Sequence, residues 1–141
     1  MGKIAGVIFL FVLFACASNP AQKQNNNSPS TSKTTIEFTE EKHNFGSLEA
    51  GEIVVYVFEF TNTGTADYLI ESVDCSCGCV QSHYSKEPVK PGETGQIEVE
   101  FDSAGLAGRE YKTIEVHGNS NELKHLAIFA EVKNELLELK Y

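Results

Sequence analysis

No run in this chain is apolar for long enough to cross a bilayer. The longest, residues 4–14, has eleven residues, whereas a spanning helix needs about 20. Basic charge is scarce too: 11 Lys and Arg stand against 20 Asp and Glu, a formal charge of −9. The bases are scattered singly among acidic neighbours, so no patch exists to neutralise phosphates and no nucleic-acid partner is expected. No Gly-x-Ser-x-Gly elbow presents a nucleophile, and no glycine-rich loop cradles phosphate. The histidines at 43, 83, 117 and 125 are dispersed with no His-x-x-x-His frame, which leaves all but His83 as surface or strand-edge residues. Paired carboxylates such as Glu98 and Glu100 stand on the polar side of an alternating run, where solvation accounts for them. Outside the last few residues no helical period is found. With no catalytic set present, the chain is not expected to be an enzyme.

What is present begins with an address. Lys3 supplies a positive n-region and residues 4–14 an h-region, the pattern of a secretory signal. The run stops at Leu13-Phe14-Ala15-Cys16, which resembles the lipobox of bacterial lipoproteins: Leu at −3, a small residue at −1, then the cysteine to be acylated. Phe14 departs from the small or β-branched residue usual between them. The resemblance implies removal of residues 1–15 and acyl chains, palmitate among them, on Cys16. An ordinary secretory signal with a chance cysteine is the alternative. Each buried CH₂ contributes about 0.8 kcal/mol, so several chains would hold the protein at a membrane surface. Without Lys3 the mature chain keeps 10 basic and 20 acidic residues, a charge of −10. An anionic leaflet repels such a body, so the lipid must do the holding. Residues 16–33 are read as the lipidated cysteine and a flexible tether, since Asn25-Asn26-Asn27 and Ser28-Pro29-Ser30 offer almost nothing to bury. No acidic cluster follows Cys16. Such a cluster resembles the surface-export signal of Bacteroidota lipoproteins, and its absence points to the periplasmic face of an outer membrane.

From residue 34 the texture changes to short alternating runs between turn residues. Ile36 and Phe38 alternate with Glu37 and Thr39 in a first strand, and the chain then bends through His43-Asn44-Phe45-Gly46. Residues 52–61 give the strongest strand, with Val54, Tyr56, Phe58 and Phe60 on one face and Glu59 and Thr61 on the other. A third strand, residues 68–75, needs a bulge if Ile70 and Val73 are to share a face. Residues 81–91 read as a polar connection ending in Pro91-Gly92. Ile97, Val99 and Phe101, then Ile114 and Val116, then Leu126, Ile128, Ala130 and Val132 mark three further half-buried strands. About seven strands with regular turns predict an all-β, immunoglobulin-like β-sandwich over residues 34–133. A C-terminal tail, residues 134–141, carries Leu136, Leu137 and Leu139 and suggests a short packed helix.

Asp74-Cys75-Ser76-Cys77-Gly78-Cys79 sits at the middle of this body, three thiols in five residues. In an unbroken strand they share one face, neighbours about 6.6 Å apart and the outer two about 13 Å apart. One metal with bonds of about 2.3 Å cannot gather them, and parallel side chains at that spacing make a strained disulfide. Only a turn at Gly78 lets the sulfurs converge.

The order of signals resembles the bacterial domain-of-unknown-function 1573 family, itself similar to Hydin-type immunoglobulin-like domains. The matching residues are Asn44-Phe45-Gly46, Phe58-Glu59-Phe60-Thr61-Asn62-Thr63-Gly64, Val73 with Ser76-Cys77-Gly78-Cys79, Pro91-Gly92-Glu93, residues 97–102, and Lys112-Thr113-Ile114 with Val116 and Asn119. They span residues 36 to 133. Val80 stands where the family commonly has Thr, and Cys75 precedes the usual pair as an extra thiol. The resemblance implies a fold and an exported, often lipidated, Bacteroidota protein, but no activity. It also maps the family's cysteine pair onto Cys77 and Cys79, with Gly78 free to take φ > 0 between them.

Three readings of the sulfurs stay open. Cys75, Cys77, Cys79 and His83 form a soft site for Cu or Zn, or Cys77 and Cys79 form a disulfide in an oxidising compartment, or all three are small packing residues. Asp102-Ser103-Ala104 also resembles the short O-glycosylation signal of Bacteroidota, on an expected loop. The expectation is therefore a lipid-anchored binding or structural module of the cell envelope with an envelope-protein partner. A thiol-based metal-binding or redox protein is the alternative.

Overall fold

The computed structural model describes residues 32–134. Residues 1–31, with the expected signal peptide, Cys16 and most of the expected tether, and residues 135–141, with the expected short helix, lie outside the described residues. Eight strands follow one another: β1 (Ile36–Phe38), β2 (Lys42–Glu49), β3 (Ile53–Asn62), β4 (Ile70–Cys75), β5 (Val80–Tyr84), β6 (Thr94–Asp102), β7 (Gly108–Gly118) and β8 (Lys124–Lys133). They form two four-stranded sheets, ordered β1-β3-β6-β5 and β2-β8-β7-β4. Each pairing is antiparallel except β2 with β8, which is parallel.

Alternation explains the two layers. Phe58 and Phe60 of β3 and Ile97, Val99 and Phe101 of β6 point inward from the first sheet. Ile114 and Val116 of β7 meet them with Leu126, Ile128, Ala130 and Val132 of β8, and all are buried. A side chain of this size contributes roughly 1.5–3 kcal/mol when fully buried. The difficult parity of β4 is resolved by a register shift between Ile70 and Ser72 against β7. Extra material in one strand turns Val73 back toward the interior.

Two segments differ from expectation. The stretch after β1 is a second strand: the chain bends at Thr39 and Glu41, and β2 joins the other sheet beside β8. The supposedly polar connection begins with β5, whose Val80, Ser82 and Tyr84 face inward while Gln81 and His83 face out. Its alternation is masked in the sequence because an inward position carries serine.

One end of the sandwich is tied by two asparagines. Asn62 is fully buried at the close of β3. Its carbonyl oxygen accepts from the Thr34 hydroxyl at 2.9 Å and the Gly64 N–H at 3.1 Å. Its amide donates to the carbonyls of Ala66 and Val89, both at 2.8 Å. Each hydrogen-bonding position of the side chain is thereby filled. Asn119 does the same work across the layers, accepting from the Leu69 N–H and donating to the carbonyls of Asp67 and Ser32. Glycine is required at 64 because a Cβ there would lie 2.0 Å from the Thr34 hydroxyl and 2.6 Å from the Thr35 nitrogen.

Asn62→Ala strands the Ala66 carbonyl and the Thr34 hydroxyl, while the Val89 carbonyl keeps the Tyr68 N–H and the Gly64 N–H keeps the Thr35 carbonyl, so it is expected to lower the unfolding free energy by about 2–3 kcal/mol. Chemical denaturation measures this, and a loss below about 1 kcal/mol would remove the hub. Tyr68 supplies a pH test. Its ring is fully buried against Phe60, centroids 5.4 Å apart. Burial pushes its phenol up to about 12 from the usual 10, with the Ser120 hydroxyl offsetting part and Glu71 adding a little. The unfolded chain releases this proton first, so the stability it confers is intact below pH 10 and lost as pH rises to about 12. Over that window wild type should lose about 2–3 kcal/mol more than Tyr68→Phe. Equal losses would contradict the burial.

Candidate functional site

Chemistry-bearing side chains are densest where β4 crosses to β5. β4 ends at Cys75, so Cys77 and Cys79 are no longer on its strand. The turn is held to both sheets. Toward β7, the Ser76 N–H donates to the Thr113 carbonyl at 3.0 Å and the Thr113 N–H donates to the Ser76 hydroxyl at 3.1 Å. Toward β6, the Asp102 N–H donates to the Cys79 carbonyl at 2.9 Å. With the strand broken, Cys77 and Cys79 approach to a Cα separation of 5.2 Å and are joined by a disulfide. Gly78 does not use the left-handed conformation open to it; among the described residues the glycines with positive φ are 46, 51, 92, 105 and 108. A Cβ at Gly78 would meet nothing within 4 Å.

Cys75 remains a free thiol, half-buried and packed against the core. Burial raises its pKa above the ordinary thiol value; the neighbouring Ser82 hydroxyl offsets part of this and the Asp74 carboxylate adds to it. A thiol held protonated in this way is a poor nucleophile and a poor ligand. His83 does not join it. Alternation along β5 puts His83 on the outer face opposite Glu98, whereas Ser82, the neighbour of Cys75, faces inward. The four-residue metal set of Cys75, Cys77, Cys79 and His83 is therefore not brought together: two sulfurs are bonded to each other and the imidazole is on the far side of the sheet. Among the described residues, no group of three or more His, Cys, Asp and Glu could hold a metal ion.

The other candidates also separate. Ser103 is wholly buried rather than on an open loop. Its hydroxyl accepts from the Gly51 N–H at 3.0 Å and donates to the carbonyl of Glu52 or Glu49, so a glycan has no access to it. His43 stacks on Tyr56 at 3.5 Å, and His117 faces Asp74 at 3.1 Å on the second sheet.

Sequence reasoning missed the outer face of the first sheet. β3 exposes Ile53, Val55 and Val57, at 59%, 49% and 36% of their surface, on the face opposite Phe58 and Phe60. The signal was there, because Ile53-Val54-Val55-Tyr56-Val57 is a continuous apolar run rather than an alternation. Across from these three lie Asp102, Glu100 and Glu98 of β6. An open groove of about 630 Å³ continues this face past Val57, Glu98 and His83 to Glu93.

Comparison with known proteins adds family and fold. Residues 36–132 match the family described as Protein of unknown function (DUF1573). No curated protein matches the chain. Among solved structures, the chain is similar to a protein of unknown function from Porphyromonas gingivalis W83, with 19% identity and a TM-score of 0.62 over 74% of this chain. It spans about half, 51%, of that protein. It is also similar to the ASH / PapD-like domain of human CEP192, with 12% identity and a TM-score of 0.57 over 92% of this chain and 99% of that one. A third likeness, to the secreted serine protease VesC from Vibrio cholerae, has 13% identity and a TM-score of 0.55 over 70% of this chain and 23% of the protease. At such identities these likenesses show the fold alone: an immunoglobulin-like, PapD-like sandwich.

The state of Cys75 can be measured directly. Its alkylation by iodoacetamide at neutral pH is expected to be at least about tenfold slower in the folded chain than in denaturant, since burial suppresses the thiolate. Mass spectrometry reads the rate, and equal rates would show an accessible thiol of ordinary acidity instead.

Proposed function

The chain belongs to the DUF1573 family of proteins of unknown function, and from that premise we propose that it is a non-catalytic binding module of a bacterial envelope. Lipid on Cys16 holds it to the periplasmic face of the outer membrane, the tether gives it reach, and an envelope protein is its partner. The observation that carries the reading is dispersal. The described histidines, thiols and carboxylates capable of chemistry sit on different faces, in a bridge, or in the core, while an apolar and acidic sheet face stands open. A sandwich with such a face presents a surface rather than a reaction centre.

The thiol-based alternative draws on the same turn. It needs Cys77 and Cys79 reduced, and even then His83 stays on the outer face of β5. Copper and zinc measured on oxidised and reduced protein separate the two, with stoichiometric metal expected in neither.

Envelope fractionation with short-range cross-linking tests the module. Wild type is expected in the detergent-extracted membrane fraction, joined to a discrete partner protein, and Cys16→Ser in the soluble fraction. Retention of Cys16→Ser on membranes would refute the lipid anchor. Turnover of any substrate that Cys77→Ser abolishes would refute the non-catalytic reading.

A further inference from the structure

The first sheet has an unfinished edge. β1 covers β3 only at Phe60, Thr61 and Asn62, and the Thr39 N–H adds one bond to the Glu59 carbonyl at 2.9 Å. The chain then leaves, because β2 pairs with β8 in the other sheet. Along residues 53–58, no described backbone group pairs with β3 on that side. The Glu59 carbonyl faces the β1 side, so alternation aims the N–H and C=O groups of Ile53, Val55 and Val57 at the same open edge. These are the residues whose side chains are exposed. The open length is about 20 Å at 3.4 Å per residue.

Sheet edges are ordinarily protected by proline, lysine, a bulge or a covering loop. Residues 53–58 contain no proline and no lysine, and their register with β6 runs without a shift. An edge this regular and apolar is a template for strand addition.

Charge selects the occupant. Beside the apolar stripe stand Glu98, Glu100 and Asp102 on β6, with Glu52 and Glu59 at the two ends. Among the described residues none of these five is in an ion pair. The ion pairs present join Lys112 to Glu110, Lys124 to Glu122, and His117 and His125 to Asp74 and Glu115, which lie on β4, β7, β8 or the turn before β8. A second copy of this chain, added antiparallel at this edge, would bring the Glu52 end of one β3 alongside the Glu59 end of the other and gather like charge at both ends of the ladder, which is unfavourable.

We propose that the open edge of β3 receives an extended segment of a partner protein in which Lys or Arg alternates with apolar residues. This rests on the binding-module reading and names its mode and partner chemistry. The added strand lies about 5 Å from β3 and about 10 Å from β6. Its basic stems cover Val55 and Val57 while their heads reach the carboxylates of Glu98 and Glu100. Its backbone completes the N–H and C=O groups of residues 53, 55 and 57.

The probe is a capped peptide of four Lys-Val repeats, offered to the full chain in neutral detergent micelles. A Glu-Val peptide and a Lys-Val peptide N-methylated on its β3-facing residues serve as comparisons. The Lys-Val peptide should slow amide exchange at Val55 and Val57 at least tenfold, and the Glu-Val peptide should have no effect. N-methylation should weaken binding tenfold or more, as should Glu98→Lys combined with Glu100→Lys, whose side chains pack against nothing in the core. No binding of the Lys-Val peptide, equal binding of its N-methylated form, protection elsewhere than on β3, or self-association that buries Val55 would each overturn the proposal. None of these outcomes bears on whether the chain cross-links to an envelope partner through its other sheet, so the two readings fail separately.

Discussion

One buried amide sets the geometry at an end of this sandwich. Asn62 must donate twice and accept twice within a few ångströms, and its four partners come from three stretches of chain: Thr34, the turn with Gly64 and Ala66, and Val89. Losing any partner leaves an unpaired polar group in a dry interior, which costs more than the bond itself contributed. The turn after β3, the long connection before β6 and the approach to β1 are therefore placed together. Gly64 and the Thr34 hydroxyl follow from the same demand, since no side chain fits between them.

The cysteine turn is a second tie, linking the layers near the opposite end of β4. Ser76 holds it to β7 and the Cys79 carbonyl holds it to β6, so the disulfide closes a segment already fixed by backbone bonds. This placement favours a structural bridge over an exchanging one. The nearest free thiol, Cys75, is kept protonated by its surroundings.

The strands of the core were legible because their alternation is strict: Ile97, Val99 and Phe101, or Leu126, Ile128 and Ala130, admit one interior face each. β5 was hidden because Ser82 stands inward among polar neighbours, and β2 because Gly46 interrupts it and its partner is a parallel strand far along the chain. The bulge in β4 could be read from the parity of Ile70 and Val73. The site was less legible. A one-apart cysteine spacing has different meanings on a strand and in a turn, and nothing local says that β4 stops at Cys75. The face of His83 could not be assigned until β5 was recognised as a strand. Ser103 looked like a loop residue because its partners, Gly51 and Glu52, are distant in sequence and become neighbours only when β3 and β6 pair.

The parallel pairing of β2 with β8 has a mechanical consequence. β2 is the second strand from the N-terminal side and β8 the last, and they run in the same direction from Lys42 beside Ala127 to Glu49 beside Lys133. Tension applied between the two ends of the domain pulls these strands past each other along their length. The load then falls on the whole ladder at once rather than on one bond after another, so this joint resists stretching as a lap seam does and not as a zip.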